Sequence, residues 1–354
     1  MDAGERRSQV STKPKLGPKL VIGANGFLGS HVTRQLVADR FPVRAMVRPN
    51  ANTRSIDDLE LTRFHGDVFD DVTLREAMDG VDDVYYCVVD TRAWLRDPAP
   101  LFRTNVEGLR NVLDVAVNQP DLRRFVFTST YATVGRRRGH VATEDDVISP
   151  RGQTPYVQSR VQAEDLVMRY VAEAGLPAVA MCVSTTYGSG DWGGTPHGAF
   201  IAGAVFGKLP FGMNGIQLEV VGVDDAARAM ILAAERGRIG ERYLVSERMI
   251  ALNDVIRIAA DEAGVPPPQR SISLPMLYAL SALGSLKARL TGKDSELSLA
   301  SVRMMRSEAD VDSSKAKREL GWRPRPVEES IREAARFWAA MRTPRKNTPA
   351  GQPE

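Results

Sequence analysis

The stretch Lys19-Leu20-Val21-Ile22-Gly23-Ala24-Asn25-Gly26-Phe27-Leu28-Gly29-Ser30-His31-Val32 decides how the rest of the chain is read. A short apolar run ends at Gly23, two more glycines follow at spacings of three, and a helical pattern continues through Val32, Leu36 and Val37. That order is strand, tight turn, helix N-terminus. Gly23 permits the sharp exit from the strand, Gly26 lets a pyrophosphate approach bare backbone, and Gly29 lets the helix pack close to the strand. Phosphates held there would face unpaired N–H groups at the positive end of a helix dipole. The spacing predicts a dinucleotide site built from Gly23, Asn25, Gly26, Phe27, Leu28 and Gly29. A glycine triplet alone is a weak signal; here the strand before it and the helix after it supply the context.

Outward from this stretch, composition sets bounds. The 354 residues are 43% hydrophobic and 26% charged, the balance of a soluble globular protein with ample chain for a core. A net charge of +3 is too small to make nucleic acid the expected partner. The two cysteines, Cys87 and Cys182, lie in apolar runs and read as buried free thiols of a reducing compartment. The four histidines have no metal-ligand spacing, so no metal is expected. Residues 1–17 and 343–354 are polar and read as loose tails. No apolar run is long enough to span a bilayer, which makes the expected location cytoplasmic.

From Leu20 onward strand-like and helix-like segments alternate. Strands are expected at 41–47, 63–67, 83–89, 125–129 and 178–184, with helices at 74–78, 100–117 and 156–174. This rhythm predicts an α/β fold, a Rossmann-type doubly wound parallel sheet over residues 18–186. Residues 187–342 turn irregular. They read as a smaller C-terminal substrate-binding lid, with some segments returning to the first unit.

Several residues near expected strand ends carry chemistry. Val47-Arg48 closes the second strand, where such sites place an acidic residue for a ribose hydroxyl or an arginine for a 2′-phosphate. Val47 cannot bind a hydroxyl and Arg48 can fork onto a phosphate, so NADP(H) is expected ahead of NAD(H). Arg44 is a helper only if strand alternation allows it. Asp67-Val68 could accept from an adenine amino group and donate a backbone N–H to its ring; a turn aspartate is the equal alternative. Thr128-Ser129-Thr130 ends the fifth strand, and Tyr156 opens the next helix with Ser159 and Arg160 one turn on. A hydroxyl and a phenol at the open end of a parallel sheet suit proton transfer to a carbonyl. A free phenol titrates near pH 10, and Arg160 on the same face would lower that value. Spacing alone leaves a partly buried structural tyrosine open. Trp94, Tyr131, Trp192 and Thr195 fall in loops after strand ends, where they line an apolar substrate pocket or simply pack.

Taken together, Gly23-x-x-Gly26-x-x-Gly29, Asn105-Val106-Glu107-Gly108 and Tyr156-x-x-Ser159-Arg160 resemble the extended short-chain dehydrogenase/reductases, the NAD-dependent epimerase/dehydratase family. So do Tyr187-Gly188-Ser189-Gly190-Asp191, Val223-Asp224-Asp225-Ala226-Ala227-Arg228 and Glu319-Leu320-Gly321-Trp322-Arg323-Pro324. The similarity covers nearly the whole chain between the tails. It is nearest the branch of dihydroflavonol reductases, 3β-hydroxysteroid dehydrogenases and hopanoid-associated epimerase-like proteins. The resemblance implies Thr130 in the serine/threonine catalytic role, Tyr156 as acid/base and Asn105 in support. It also implies Val88 at the cofactor floor and Tyr156 and Arg160 against the cofactor. The apolar run from Leu274 to Leu286, followed by Lys287 and Arg289, resembles a stretch that steroid dehydrogenase relatives place near membranes. Peripheral contact with the inner face of a membrane is therefore a secondary expectation beside a lid helix.

Two departures bear on catalysis. The family's tyrosine motif ends in lysine, where this chain has Arg160, which keeps the charge but does not readily release a proton. Val88 and Val89 stand where relatives usually carry alanines, narrowing the cofactor floor. The expected activity is an NADP(H)-preferring oxidoreductase for a carbonyl or secondary alcohol on a small apolar, polycyclic or steroid-like substrate, in a monomer or homodimer. The alternatives are an NAD-dependent sugar-nucleotide epimerase or dehydratase, which Val47-Arg48 disfavours, and a dinucleotide-binding sensor or scaffold that has lost catalysis.

Overall fold

The computed structural model describes residues 17–137, 139–291, 294–295, 298–305 and 310–342. The expected tails lie outside these residues except Gly17, whose N–H donates to Asp82 Oδ2 at 2.7 Å. β1 (Lys19–Ile22) is apolar on both sides because both of its faces are covered: Leu20, Val21 and Ile22 are at most 1% exposed. α1 (Phe27–Ala38) follows the glycine turn and leads to β2 (Val43–Val47) and β3 (Thr62–His65). α2 (Asp71–Met78) is capped by Asp70, whose carboxylate accepts from the N–H and hydroxyl of Thr73, and precedes β4 (Asp83–Tyr86). The next helical run divides into α3 (Ala99–Phe102), one π turn over Arg103–Glu107, and α4 (Gly108–Ala116). β5 (Arg124–Thr130), α5 (Pro155–Ala174, capped by Thr154) and β6 (Ala178–Val183) complete the first half.

The second half begins with β7 (Thr185–Tyr187), α6 (Pro196–Val205), β8 (Gly212–Met213) and β9 (Gln217–Gly222). α7 (Val223–Arg236) and β10 (Arg242–Val245) come next, then β11 (Arg248–Ala251), α8 (Leu252–Glu262) and β12 (Ser271–Ile272). α9 (Leu274–Thr291), α10 (Leu299–Met305) and α11 (Val327–Arg342) end the described chain.

The large sheet has seven parallel strands in the order β10-β6-β5-β4-β1-β2-β3. Strand order reverses between β1 and β4, which opens a crevice at the carboxyl ends of those strands. One face buries Val21, Val126 and Val179 against Val32 and Leu36 of α1 and Met230 and Ile231 of α7. The other buries Leu20, Phe125 and Phe127 against Leu74, Leu113 and Leu166 of α2, α4 and α5. The sheet is thus doubly wound. Its seventh strand and α7 come from the second half of the chain. β4 ends at Tyr86, short of the expected Val89; the Cys87 N–H still donates to the Ile22 carbonyl, and farther on the Asp90 backbone is held by the Asn105 side chain.

The remaining elements form a second core around Tyr187, Ile201, Leu218, Ile256 and Ile331, with β11-β9-β7 as a small sheet and β12-β8 as another. β7 follows directly on the carboxyl end of β6, which joins this core to the large sheet. No helix among the described residues is long and apolar enough to cross a membrane.

Candidate active site

At the glycine turn, Gly23 adopts φ +82°, a region costly for residues with a Cβ. A Cβ on Gly29 would lie 2.2 Å from the Gly23 carbonyl oxygen, so only glycine lets α1 pack this closely. Gly26 is the N-cap of α1 and has no capping side chain. The N–H groups of Phe27, Leu28 and Gly29 therefore open the helix without preceding helical carbonyls, aimed past the strand end. Asn25 is held by its Nδ2, which donates to the Asn52 carbonyl, and by its own carbonyl, which accepts from Ser55 Oγ. Val88 packs on the turn: its Cγ2 would lie 3.0 Å from a Cβ on Gly23.

Arg48 stands exposed just past β2, unpaired among the described residues. Arg44 is not its helper. Its guanidinium donates to the carbonyls of Ala77 and Asp79 at the end of α2 and lies over Phe64. Asp67 accepts from the Phe69 N–H through Oδ1, a turn contact that leaves its second oxygen free, and Val68 is buried.

Across the crevice, Tyr156 is 7% exposed on the first turn of α5. Its hydroxyl interacts with the Thr130 hydroxyl, and Arg160 lies within electrostatic reach. Burial raises the phenol pKa above its ordinary value; the Arg160 charge and the Thr130 contact pull the other way and do not offset it. The lowered phenol expected from Arg160 is thus present as a pull but is outweighed by burial. Arg160 is 1% exposed, donates from Nη2 to the Thr128 carbonyl and lies over the Phe127 ring at 5.0 Å. Among the described residues its Nε and Nη1 are buried without a partner, as is the Tyr86 hydroxyl. A buried guanidinium with two idle donors is costly unless something arrives to accept from them.

Asn105 does not reach the crevice directly. The π turn points it inward, where Oδ1 accepts from the Asp90 N–H at 2.8 Å and Nδ2 donates to the Asp90 carbonyl and Ser159 Oγ, each at 3.0 Å. It ties the loop after β4 to the helix of Tyr156. A second clamp lies behind β5. Glu164 of α5 accepts from Ser129 Oγ and from Thr133 Oγ1 and pairs with Arg242 of β10 at 2.7 Å. Both flank Thr130. The sequence carries no local signal for this buried pair, since its members lie on elements far apart in the chain.

The expected pocket residues separate. Tyr131 lies within electrostatic reach of Tyr156, and Ala93 and Leu95, on either side of Trp94, belong to the apolar cluster around Tyr156. Val89 packs into the same cluster. Trp192 instead packs edge-on against Phe337 of α11 at 5.1 Å. Thr195 caps α6 and donates to Asp191 Oδ2. Two polar atoms missed by sequence reasoning, Tyr187 Oη and His197 Nδ1, are buried without a partner among the described residues, and burial pushes His197 down to about 4. His31, one turn into α1, sits between Asp224 Oδ1 at 2.6 Å and the Ser189 carbonyl at 3.0 Å. It joins three of the motif segments.

A family model, the NAD dependent epimerase/dehydratase family, matches residues 19–246. The chain belongs to that family. The sterol demethylase protein B of Methylococcus capsulatus is 26% identical over 323 residues, covering 90% of this chain and 97% of that protein. A dihydroflavonol 4-reductase of Zea mays is 27% identical over 277 residues, 73% of this chain and 76% of the relative. The crystal structure of gox2253 superposes with a TM-score of 0.80 at 32% identity, over 92% of this chain and 98% of that one. The chain is thus an enzyme of the extended short-chain dehydrogenase/reductase type whose cofactor is a nicotinamide dinucleotide. The residues present fit that group: uncapped N–H donors at α1 and a bare glycine turn stand at the end of β1, beside which strand order reverses, and Arg160 keeps two nitrogens unpartnered among the described residues.

Proposed function

We propose that this family member is an NADP(H)-preferring oxidoreductase that interconverts a carbonyl and a secondary alcohol on an apolar, polycyclic or steroid-like substrate. The observation that carries the reading is the buried Tyr156–Thr130 pair beside an arginine with two unpartnered guanidinium nitrogens. In this reading the N-terminus of α1 binds the pyrophosphate, Asp67 and Val68 hold the adenine, and Arg48 takes the 2′-phosphate. When bound, the nicotinamide supplies or accepts the hydride. Thr130 Oγ1 orients the substrate carbonyl, and Tyr156 Oη gives its proton to the carbonyl oxygen in reduction or takes one from the alcohol in oxidation. Arg160, with two nitrogens unpartnered among the described residues, would help hold the nicotinamide ribose, and it keeps positive charge beside the phenol. Asn105 and Glu164 are positioning residues that hold the two sides of the pair.

The apolar character of the substrate is supported by the cluster of Val89, Ala93, Leu101 and Ala132 around Tyr156, and by relatives named for a sterol and a flavonol. Peripheral membrane contact belongs to the same reading. Met276, Leu283, Leu286 and Leu290 lie along α9 and are each more than half exposed, with Lys287 exposed beside them.

Cofactor preference is tested by titrating NADPH and NADH into the protein and into Arg48→Glu. NADPH should bind at least about tenfold more tightly to the unaltered chain, and the charge reversal should abolish that margin. Equal affinities in the unaltered protein would remove Arg48 from the site.

A further inference from the structure

At the end of the large sheet opposite the glycine turn, β1, β4 and β5 begin in one row. Lys19 is in register with Asp83, and Asp83 with Arg124. Two residues on, Val21, Tyr85 and Val126 form the next row and belong to the face covered by α1 and α7. Side chains alternate along a strand, so the three charged residues share that face. There they border a cavity of about 370 Å³, whose other walls include Phe41, Tyr85 and, on α7, Ile231 and Glu235. Small-molecule sites run from about 300 to 1,000 Å³, so this volume suits a small ligand.

The charges around the cavity do not all pair. Lys19 donates from Nζ to Asp83 Oδ2 at 2.6 Å and lies 3.4 Å from Asp82 Oδ2. Arg123 reaches Asp83 at 3.5 Å and Asp82 at 3.8 Å. These four groups answer one another, which leaves Arg124 and Glu235. Arg124 donates from Nη1 to the neutral Arg123 carbonyl, and no carboxylate among the described residues pairs with its guanidinium. Glu235 is exposed, and no cation among the described residues pairs with it. Its charge is felt at Tyr85, whose phenol is raised well above its ordinary value by burial first, then by Asp83 and Glu235. Asp83 Oδ1 and Arg124 Nε are buried without a partner among the described residues. The row is therefore short of hydrogen bonds as well as of charge partners. Phe41, Tyr85 and Ile231 set apolar surface beside these charges.

A guanidinium recognises a carboxylate, and a carboxylate recognises an ammonium group. We propose that this cavity is a second ligand site, one for a zwitterionic α-amino acid with an apolar side chain. Arg124 takes its carboxylate, Glu235 its ammonium group, and Phe41, Tyr85 and Ile231 its side chain. The site lies at the opposite end of the strands from the candidate active site and does not rest on the oxidoreductase reading.

Calorimetry on the full chain, with and without saturating NADPH, tests this with L-leucine and L-phenylalanine. Each is compared with the acid that lacks its amine and with the amine that lacks its carboxylate. At least one of the two amino acids should bind about tenfold more tightly than either of its fragments, and equally with NADPH present. Glu235→Gln should reduce its affinity to that of the acid, and Arg124→Gln to that of the amine, while Arg124→Lys retains part of the margin. Ala234→Phe, which brings a ring into the cavity from α7, should abolish binding of all these probes. Glu235 is exposed, so its substitution leaves the core intact and keeps the comparison decisive if the arginine variant unfolds. No binding of either amino acid, affinity no better than that of the fragments, indifference to Glu235→Gln, or displacement by NADPH would each overturn the site. None of these readouts depends on turnover, so a failure here leaves the oxidoreductase reading standing.

Discussion

Arg160 is where sequence and structure inform each other most. The sequence shows an arginine in place of the family lysine, and one helical turn from Tyr156 its charge can be placed. What the sequence cannot show is that Nε and Nη1 are sealed from water without acceptors while Nη2 is tied to Thr128. A lysine there would bring fewer donors and a smaller head to the same space. Arg160→Lys should preserve or raise turnover, whereas Arg160→Ala should weaken cofactor binding and turnover together; titration and initial rates separate the two. The phenol makes its own prediction. Burial raises its pKa, so at neutral pH it keeps its proton, the form that reduction requires. Reduction should hold through neutral pH and fall only as the phenol ionises in alkali. Oxidation needs the phenolate and should climb about tenfold per pH unit below that pKa, as pH–rate profiles in both directions would show. An oxidation rate flat from neutral pH upward would remove Tyr156 as the base.

Between elements, the supports of the pair are hydrogen bonds and charges that cross long stretches of sequence. Asn105 answers both backbone groups of Asp90 and Ser159, so Asn105→Ala leaves buried polar groups unpaired and should cost about 2–4 kcal/mol in urea unfolding. It should also lower kcat more than it raises KM, because Tyr156 and the loop after β4 lose their common tether. Behind β5, Arg242→Met strands Glu164 without its cation and should cost about 3 kcal/mol or more. Measured stability within 0.5 kcal/mol of the unaltered chain (about the scatter of surface changes) would show the pair to be incidental. The strands were readable because a parallel strand covered on both faces is a continuous apolar run. The π turn was not, since Asn105-Val106-Glu107-Gly108 fits an ordinary helical period and only packing against Ser159 reveals the extra residue. β10 was missed as well, as four residues in an irregular half carry little signal until β6 offers them an edge.

At the scale of the molecule, the motifs of the second half serve the first. Asp224 holds His31 of α1, Trp322 donates to the Asp225 carbonyl, and Arg325 bonds Asp225 and Glu333, so segments of the second half are tied to α1 and α7 by bonds that are mostly part-buried. These segments were legible as family motifs, but not as partners of His31, because nothing local in a histidine on a helix names its acceptor. The exposed stripe of α9 is legible from both sides: its spacing marks a helix face, and the structure leaves that face uncovered among the described residues. Anionic vesicles should bring part of the protein into the pellet at low salt and release it at high salt, and Leu283→Ser with Leu290→Ser should abolish that binding. Protein that stays in the supernatant at low salt would make the stripe a lid surface alone. The most direct measurement of the central claim follows deuterium from stereospecifically labelled NADPH into a panel of steroid and flavonoid ketones. The account predicts label on the carbinol carbon of the product with the unaltered chain, and almost none with Tyr156→Phe despite undiminished NADPH binding. Cofactor binding with no labelled alcohol from any ketone, or equal labelling by Tyr156→Phe, would contradict it.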